Sequence, residues 1–359
     1  MRKVFRKSTV IAAVIVLGAT ALIAAGASAG VGSKKASVQV CVLLPDTKSS
    51  VRWVQFDAPD FAKALKAAGV TYSINNALND PQKQKAQAQA CLAAGATVVV
   101  ETALDNGSAA SIEKLFTSQG GKAIDYDRQV TGGSASVYVT FDGNAVGRAQ
   151  ATGIIAGMKA KGTYKPSSVV AELWGGPTDQ NAFWFKSGND DILNPLFKAG
   201  KLKKGPQQFV PDWLATNAGP IYAQMLVKTN NNIQAAIAAN DNIAGAVIAD
   251  EKARHLNPIP LSGQDATPQG VQYILAGWQT GTVYKYVPDE ANAAAAAAVA
   301  LLNGTTPKSN TTRANGSKKE PTLALPVVWI TKANYTRLFT DKFLKKSDVC
   351  IGQYKQYCK

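Results

Sequence analysis

Short apolar runs of strand length alternate with helix-length stretches along this chain, and this rhythm restricts its fold more than any other feature. The runs 'VQVCVLLP', 'VTYSINNA', 'TVVVETA', 'GKAIDYD' and 'VYVTFD' are interleaved with 'DAPDFAKALKAAG', 'PQKQKAQAQACLAAG' and 'SAASIEKLFTSQG'. The interleaved stretches have helical periodicity and close on glycine, a common helix stop. Strands separated by helices of this length imply parallel βαβ units in a covered sheet. The alternation then restarts with 'SSVVAELWGG', 'QQFVP', 'QAAIAAND', 'PIPLSGQD' and 'GTVYKYV', with helices such as 'NAGPIYAQMLVKT' between them. The predicted fold class is therefore α/β, two doubly wound parallel-sheet lobes. A chain of 359 residues has the length for two domains of ordinary size. The Ala-rich 'DEANAAAAAAVALLNG' predicts a further helix, and 'GTTPKSNTTRANGSKKEPT' a polar loop between elements.

In open α/β sheets, ligands bind at the carboxyl ends of the strands. Those ends carry a consistent inventory here. 'LLPDTKSSVRW' places Arg52 and Trp53, 'IDYDR' Asp127 and Arg128, and 'LWGGPTDQNA' Asp179 and Asn181. 'VPDW' places Asp212 and Trp213, 'AAND' Asn240 and Asp241, 'SGQDA' Gln264 and Asp265, and 'TVYK' Lys285. Carboxylates, amides, guanidinium and ammonium groups offer donors and acceptors in fixed planes, suited to adjacent hydroxyls. Tryptophan offers a flat apolar face to the C–H face of a sugar ring. A polyol is costly to desolvate unless each hydroxyl is satisfied, so this set suits a monosaccharide. Several carboxylates together would repel a phosphate. Each residue also has a plainer role open to it. Trp53 and Trp213 suit core aromatics, Asp127 with Arg128 a hinge salt bridge, Asn240 and Asp265 helix N-caps, and Lys285 a surface lysine. Capping and ligand binding compete for one side chain, and the consistency of the set favours the ligand.

The N-terminus reads as an export signal: basic 'MRKVFRK', apolar 'VIAAVIVLGATALIAAG', and small 'ASAG' with cleavage expected after Ala29. Residues 30–37 read as a flexible leader, and the expected mature chain is exported and soluble. The formal charge of +15 invites a nucleic-acid partner. Arg2, Lys3, Arg6 and Lys7 lie in the export segment, however, and the other cations are scattered apart from 'KLKK' and 'KFLKK'. No basic recognition face appears, which argues against nucleic acid. Export makes the four cysteines candidates for disulfides. Cys350 and Cys358 in 'CIGQYKQYC' are expected to close on each other. Cys41 on the first strand and Cys91 near the end of a helix form a bridge if geometry allows. Neither pair has metal spacing, so no zinc or other metal is expected, and no cofactor. His255 is the single histidine and has no nucleophile pattern beside it. No 'GxxxxGK' or 'GxGxxG' opens a helix after the first strand. The chain is not expected to be an enzyme, glycoside processing being the distant alternative.

In order and wording, 'VRW', 'AIDYDR', 'VYVTFDGNAVGRAQA', 'GGPTDQNA', 'VPDW', 'AANDNIAGA', 'LSGQDA' and 'GWQTGTVYK' resemble the D-xylose-binding proteins of bacterial ABC importers. These belong to the type I periplasmic sugar-binding fold, and the resemblance runs from about residue 38 to 340. It implies three crossings between lobes, near residue 142, around Lys285, and at 323–326. The lobes are then 38–142 plus 286–323 and 143–285 plus 324–345, with 346–359 a tail. It implies that Arg52 hydrogen-bonds and Trp53 stacks, that Asp127 and Arg128 grip hydroxyls from the first lobe, and that Asp179, Asn181, Trp213 and Asn240 act from the second. Asp265 and Lys285 would complete the ring near the hinge. The implied ligand is D-xylose or another aldose such as glucose, ribose or arabinose. The implied partner is a membrane ABC permease, with a chemoreceptor as the alternative reader, and the chain is expected to be monomeric. Sugar-responsive repressors share the fold but carry a DNA-binding segment where this chain has its export signal.

Overall fold

The computed structural model describes residues 38–358. The predicted signal peptide and leader, 1–37, lie outside the described residues, as does Lys359. β1 (Val40–Leu44), with the sequence VCVLL, is buried throughout, as expected of a strand covered on both faces. A π-helical turn over Trp53–Asp57 runs into α1 (Ala58–Ala67). There follow β2 (Tyr72–Asn76), α2 (Pro81–Ala93), β3 (Val98–Glu101), α3 (Asn106–Thr117), β4 (Lys122–Tyr126) and β5 (Val137–Phe141). The second series is α4 (Gly143–Ala160), β6 (Val169–Trp174), α5 (Gln180–Lys198), β7 (Lys203–Phe209), α6 (Ala215–Lys228), β8 (Ala235–Ala238), α7 (Asp241–Ala253), α8 (Pro268–Leu275) and β9 (Thr282–Tyr284). The chain ends with α9 (Val287–Leu302), β10 (Thr311–Asn315), β11 (Lys318–Leu325), β12 (Val328–Ile330) and short helical turns.

β2-β1-β3-β4-β5 are parallel neighbours, extended by β11 parallel to β5 and by β10 at the edge. Residues of α1 and α9 cover one face of this sheet, and residues of α2 and α3 the other. The second sheet repeats the order as β7-β6-β8, continued through bridges Ala236–Leu261 and Gln264–Val283 to β9 and β12. The result is two doubly wound lobes. The chain crosses between them after β5, after β9 and after β11.

Four details differ from the sequence reading. The segment read as a polar loop is the β10–β11 hairpin, with Asn315 paired to Lys318 across Gly316 and Ser317. Gly316 has φ +60°, the left-handed conformation a tight hairpin turn requires. β7 begins at Lys203, before 'QQFVP', because an edge strand exposes polar side chains and hides its pattern. 'PIPLSGQD' forms only isolated bridges, since Pro258 and Pro260 have no N–H to give a ladder. β11 stays in the first sheet through Leu325, so the third crossing falls at Pro326.

Both cysteine pairs are bonded, Cys41–Cys91 and Cys350–Cys358. The first ties α2 to β1. The second closes the tail, which docks on α8 where Gln272 Nε2 donates to the carbonyls of Asp348 and Val349. Among the described residues no helix is long and apolar enough to cross a membrane, and no acidic, His or Cys cluster fits a metal ion.

Candidate functional site

The carboxyl ends of both sheets face one cleft, and the strand-to-helix turns hold its polar groups. Asp179 caps α5, accepting from Asn181 N at 2.8 Å, and Asn240 caps α7, accepting from Ile243 N at 2.9 Å. Capping uses only one end of each side chain. Asp179 Oδ2 still accepts from Trp213 Nε1 at 3.1 Å and lies 3.0 Å from Arg128 Nε. Asn240 Nδ2 donates across the cleft to Ser49 O at 3.0 Å. Capping and cleft work are therefore compatible, contrary to the competition assumed from sequence.

Asp127 sits at φ +59°, which turns consecutive side chains apart. Asp127 and Arg128 accordingly do not pair with each other. Asp127 Oδ2 accepts from Arg52 Nη1 at 2.6 Å and lies 3.4 Å from Lys285 Nζ, while Arg128 reaches over to Asp179. Arg52 also donates from Nε and Nη2 to Asp57 and from Nη2 to Glu290. Four of its five N–H groups are thus held by carboxylates. Arg52 positions Asp127 as well as lining the cleft. Lys285 also lies 3.4 Å from Asp265 Oδ1, and Asp265 Oδ2 accepts from Ser50 Oγ at 2.8 Å.

Burial would raise the Asp127 carboxyl, but Arg52, Lys285 and Arg128 outweigh it and hold its pKa at about 2. Burial dominates at Glu290, pushed up to about 8 against the pull of Arg52, and it raises Asp179 against Arg128. Burial would lower the Arg52 guanidinium, yet Asp127, Asp57 and Glu290 drive it well above its ordinary range. Charge in the cleft is therefore internally compensated.

Arg52, Trp53, Asp127, Arg128, Asp179, Asn181, Trp213, Asn240, Asp265 and Lys285 all line one cavity. Trp53 is buried in the core of the first sheet, its Nε1 donating to Ser49 Oγ, with Arg52 and Arg128 carbons 4.5 and 5.5 Å from its ring centroid. Trp213 is also buried, its ring in a T-shaped contact with Phe185. Ser49, Ser50, Phe185 and Gln264 complete the lining. Phe185 follows Asn181 by one helical turn, a spacing that puts both on one face of α5. The two serines carry no distinguishing signal beyond their place after β1. Gln264 Oε1 is buried and without a hydrogen-bond partner, an acceptor suited to a donor from a ligand. Asn181 Nδ2 donates to Asp127 O at 2.7 Å and Asn242 Nδ2 to Lys48 O at 2.9 Å, so the lobes touch across the cleft.

Comparison with known proteins matches the periplasmic binding protein domain to residues 40–306. A D-xylose-binding periplasmic protein of Escherichia coli strain K12 is 33% identical over 300 residues, 83% of this chain and 88% of that protein. A multiple sugar-binding periplasmic receptor of Rhizobium radiobacter is 30% identical over 319 residues, 84% of this chain and 89% of that protein. Among solved structures, a carbohydrate transporter solute-binding protein of Chloroflexus aurantiacus, in complex with D-glucose, superposes with a TM-score of 0.79 at 27% identity, over 87% of this chain and 98% of that one.

Proposed function

The chain belongs to the periplasmic binding protein family, and from that premise we propose that it is the D-xylose-binding component of an ABC importer. It is a sugar-binding protein and not an enzyme. The observation that carries the reading is the cavity itself. Charge-compensated carboxylates, guanidinium and ammonium groups converge there with three amides, Trp53 and Trp213. A neutral polyol meets both donors and acceptors there, whereas an anion meets three carboxylates, Asp127, Asp179 and Asp265, that already hold the cations it would need.

The ten residues read from the sequence are the proposed ligand contacts, with Gln264 and Ser50 beside them. Lobes 38–142 plus 286–323 and 143–285 plus 324–345 are the proposed moving units, with 324–325 reassigned from the second to the first because β11 pairs with β5 through Leu325. Sugar touches both lobes only when they are closed, so it favours the closed form, which a membrane permease then reads. The chain works outside the cytoplasm, after cleavage of its signal following Ala29.

D-xylose is favoured by the likeness to the E. coli protein. A second reading, another aldose, is favoured by the D-glucose in the Chloroflexus structure and by the Rhizobium receptor described as binding multiple sugars. A thermal-shift panel on residues 30–359 with D-xylose, D-glucose, D-ribose, L-arabinose and D-galactose separates them. Ligand binding only the folded state raises Tm with concentration over Kd. The largest shift is expected with D-xylose. A larger shift with glucose assigns the second reading, and no shift with any aldose rejects both.

A further inference from the structure

Trp213 lies where no side chain can stand behind it. A Cβ at Gly175 would fall 2.1 Å from both Cη2 and Cζ2 of the indole and 2.5 Å from Cε2. At Gly176 it would fall 3.0 Å from Cδ1 and 3.1 Å from Nε1. The first glycine backs the six-membered ring and the second the five-membered ring. One face of the indole therefore lies along the backbone of these two residues, which follow β6. Neither glycine has a positive φ, so the backbone does not demand glycine at either position; the space does. The indole is pinned on other sides by its Nε1–H on Asp179 and by the ring of Phe185 at its edge. Asp212 and Trp213 both have positive φ, +54° and +58°, which throws the side chain back onto the glycines.

We propose that Gly175 is a positioning residue that sets the width of the cleft through Trp213, and so the sugar ring that fits. The inference rests on the monosaccharide reading above. A methyl group at Gly175 needs the indole to retreat by more than 1 Å to reach ordinary contact at about 3.5 Å. With its N–H and edge held, the indole moves away from the glycines, into the cavity it lines. A ring that stacks on Trp213 then meets the opposite wall too soon.

The test compares Gly175→Ala, Trp213→Phe and the double variant Gly175→Ala/Trp213→Phe by calorimetric titration with the aldose the wild type binds, together with a crystal structure of Gly175→Ala without sugar. We expect Gly175→Ala to lose about ten- to hundredfold in affinity, the range overpacking costs. The double variant should come within a few-fold of Trp213→Phe alone, because a smaller ring absorbs the methyl. A merely destabilising substitution would not be rescued in this way. The crystal structure should show the indole displaced by about 1 Å or more toward the cavity. Wild-type affinity in Gly175→Ala, an unmoved indole, or a double variant weaker than Trp213→Phe by the same factor as Gly175→Ala is weaker than the wild type would each overturn the proposal. If the wild type itself binds no aldose, the sugar reading fails, and the indole position still decides the role of Gly175.

Discussion

Asp241 stands beside the cleft residue Asn240 and is buried without a cation. Its carboxylate accepts from Thr267 N and Oγ1 at 2.8 and 3.1 Å and from Gln279 Nε2 at 2.8 Å. It is also wedged against Gly263 and Gly270, where a Cβ would come within 2.2 Å of it. It thus holds the loop carrying Gln264 and Asp265. Burial lifts its pKa to about 7, against the hydrogen bonds of Gln279 and Thr267. A carboxyl raised in the folded state contributes stability fully below its unfolded pKa of about 4, and that contribution is lost as pH rises through about 7. Burial gives Glu172 and Glu251 the same sign at about 7, and Glu290 at about 8. Tm should therefore fall as pH rises from 5 to 8, and Asp241→Asn should flatten that slope. A level or rising Tm in the wild type, or an unchanged slope in the variant, would contradict the assignment. The residue types lining the cleft were legible at the strand ends. Their pairing was not. Asp127 and Arg128 look like partners as neighbours in sequence, but the left-handed turn at Asp127 sends each to a different lobe.

At the scale of elements, the strand–helix alternation was readable because buried parallel strands are continuous apolar runs. The edges were not, because β7 and β10 expose polar side chains. The overlooked hairpin has structural weight. Arg313 on β10 donates to Asn144 Oδ1 and Asp142 Oδ1 at the first crossing and covers the ring of Trp184 on α5. Its signal was present as Gly316-Ser317, a two-residue loop with glycine first, masked by the polarity around it. The two disulfides differ in what they tie. Cys41–Cys91 spans 50 residues and Cys350–Cys358 spans 8. Restriction of the unfolded chain predicts about 4 and 2.5 kcal/mol for loops of these lengths. Denaturant titration of Cys41→Ser/Cys91→Ser should show the larger loss, and of Cys350→Ser/Cys358→Ser the smaller. The reverse order would mean that the tail, docked on α8, carries more of the fold than its length implies.

For the whole molecule, the three crossings let two lobes meet over one cavity, and the polar contacts between them come from both sides. Ser50 reaches Asp265, Asn240 reaches Ser49, Asn181 reaches Asp127, and Arg128 reaches Asp179. Only the Asn240 and Asn181 bonds are neutral, each worth about 1 kcal/mol net, while those of Ser50 and Arg128 involve a charged group; a ligand spanning the cleft adds contacts to both lobes. Specificity for one aldose is a smaller difference within that same closed ring, and for that reason it is least visible in sequence. The most direct measurement is calorimetric titration of D-xylose into the wild-type chain and into Asp265→Asn. That substitution keeps the size of the side chain and its tolerance of a positive φ while removing the charge facing Lys285. One sugar per chain is expected in the wild type and at least about tenfold weaker binding in the variant, the worth of a charge-assisted hydrogen bond. No heat with the wild type, or equal affinity in both, would contradict a sugar site in this cleft.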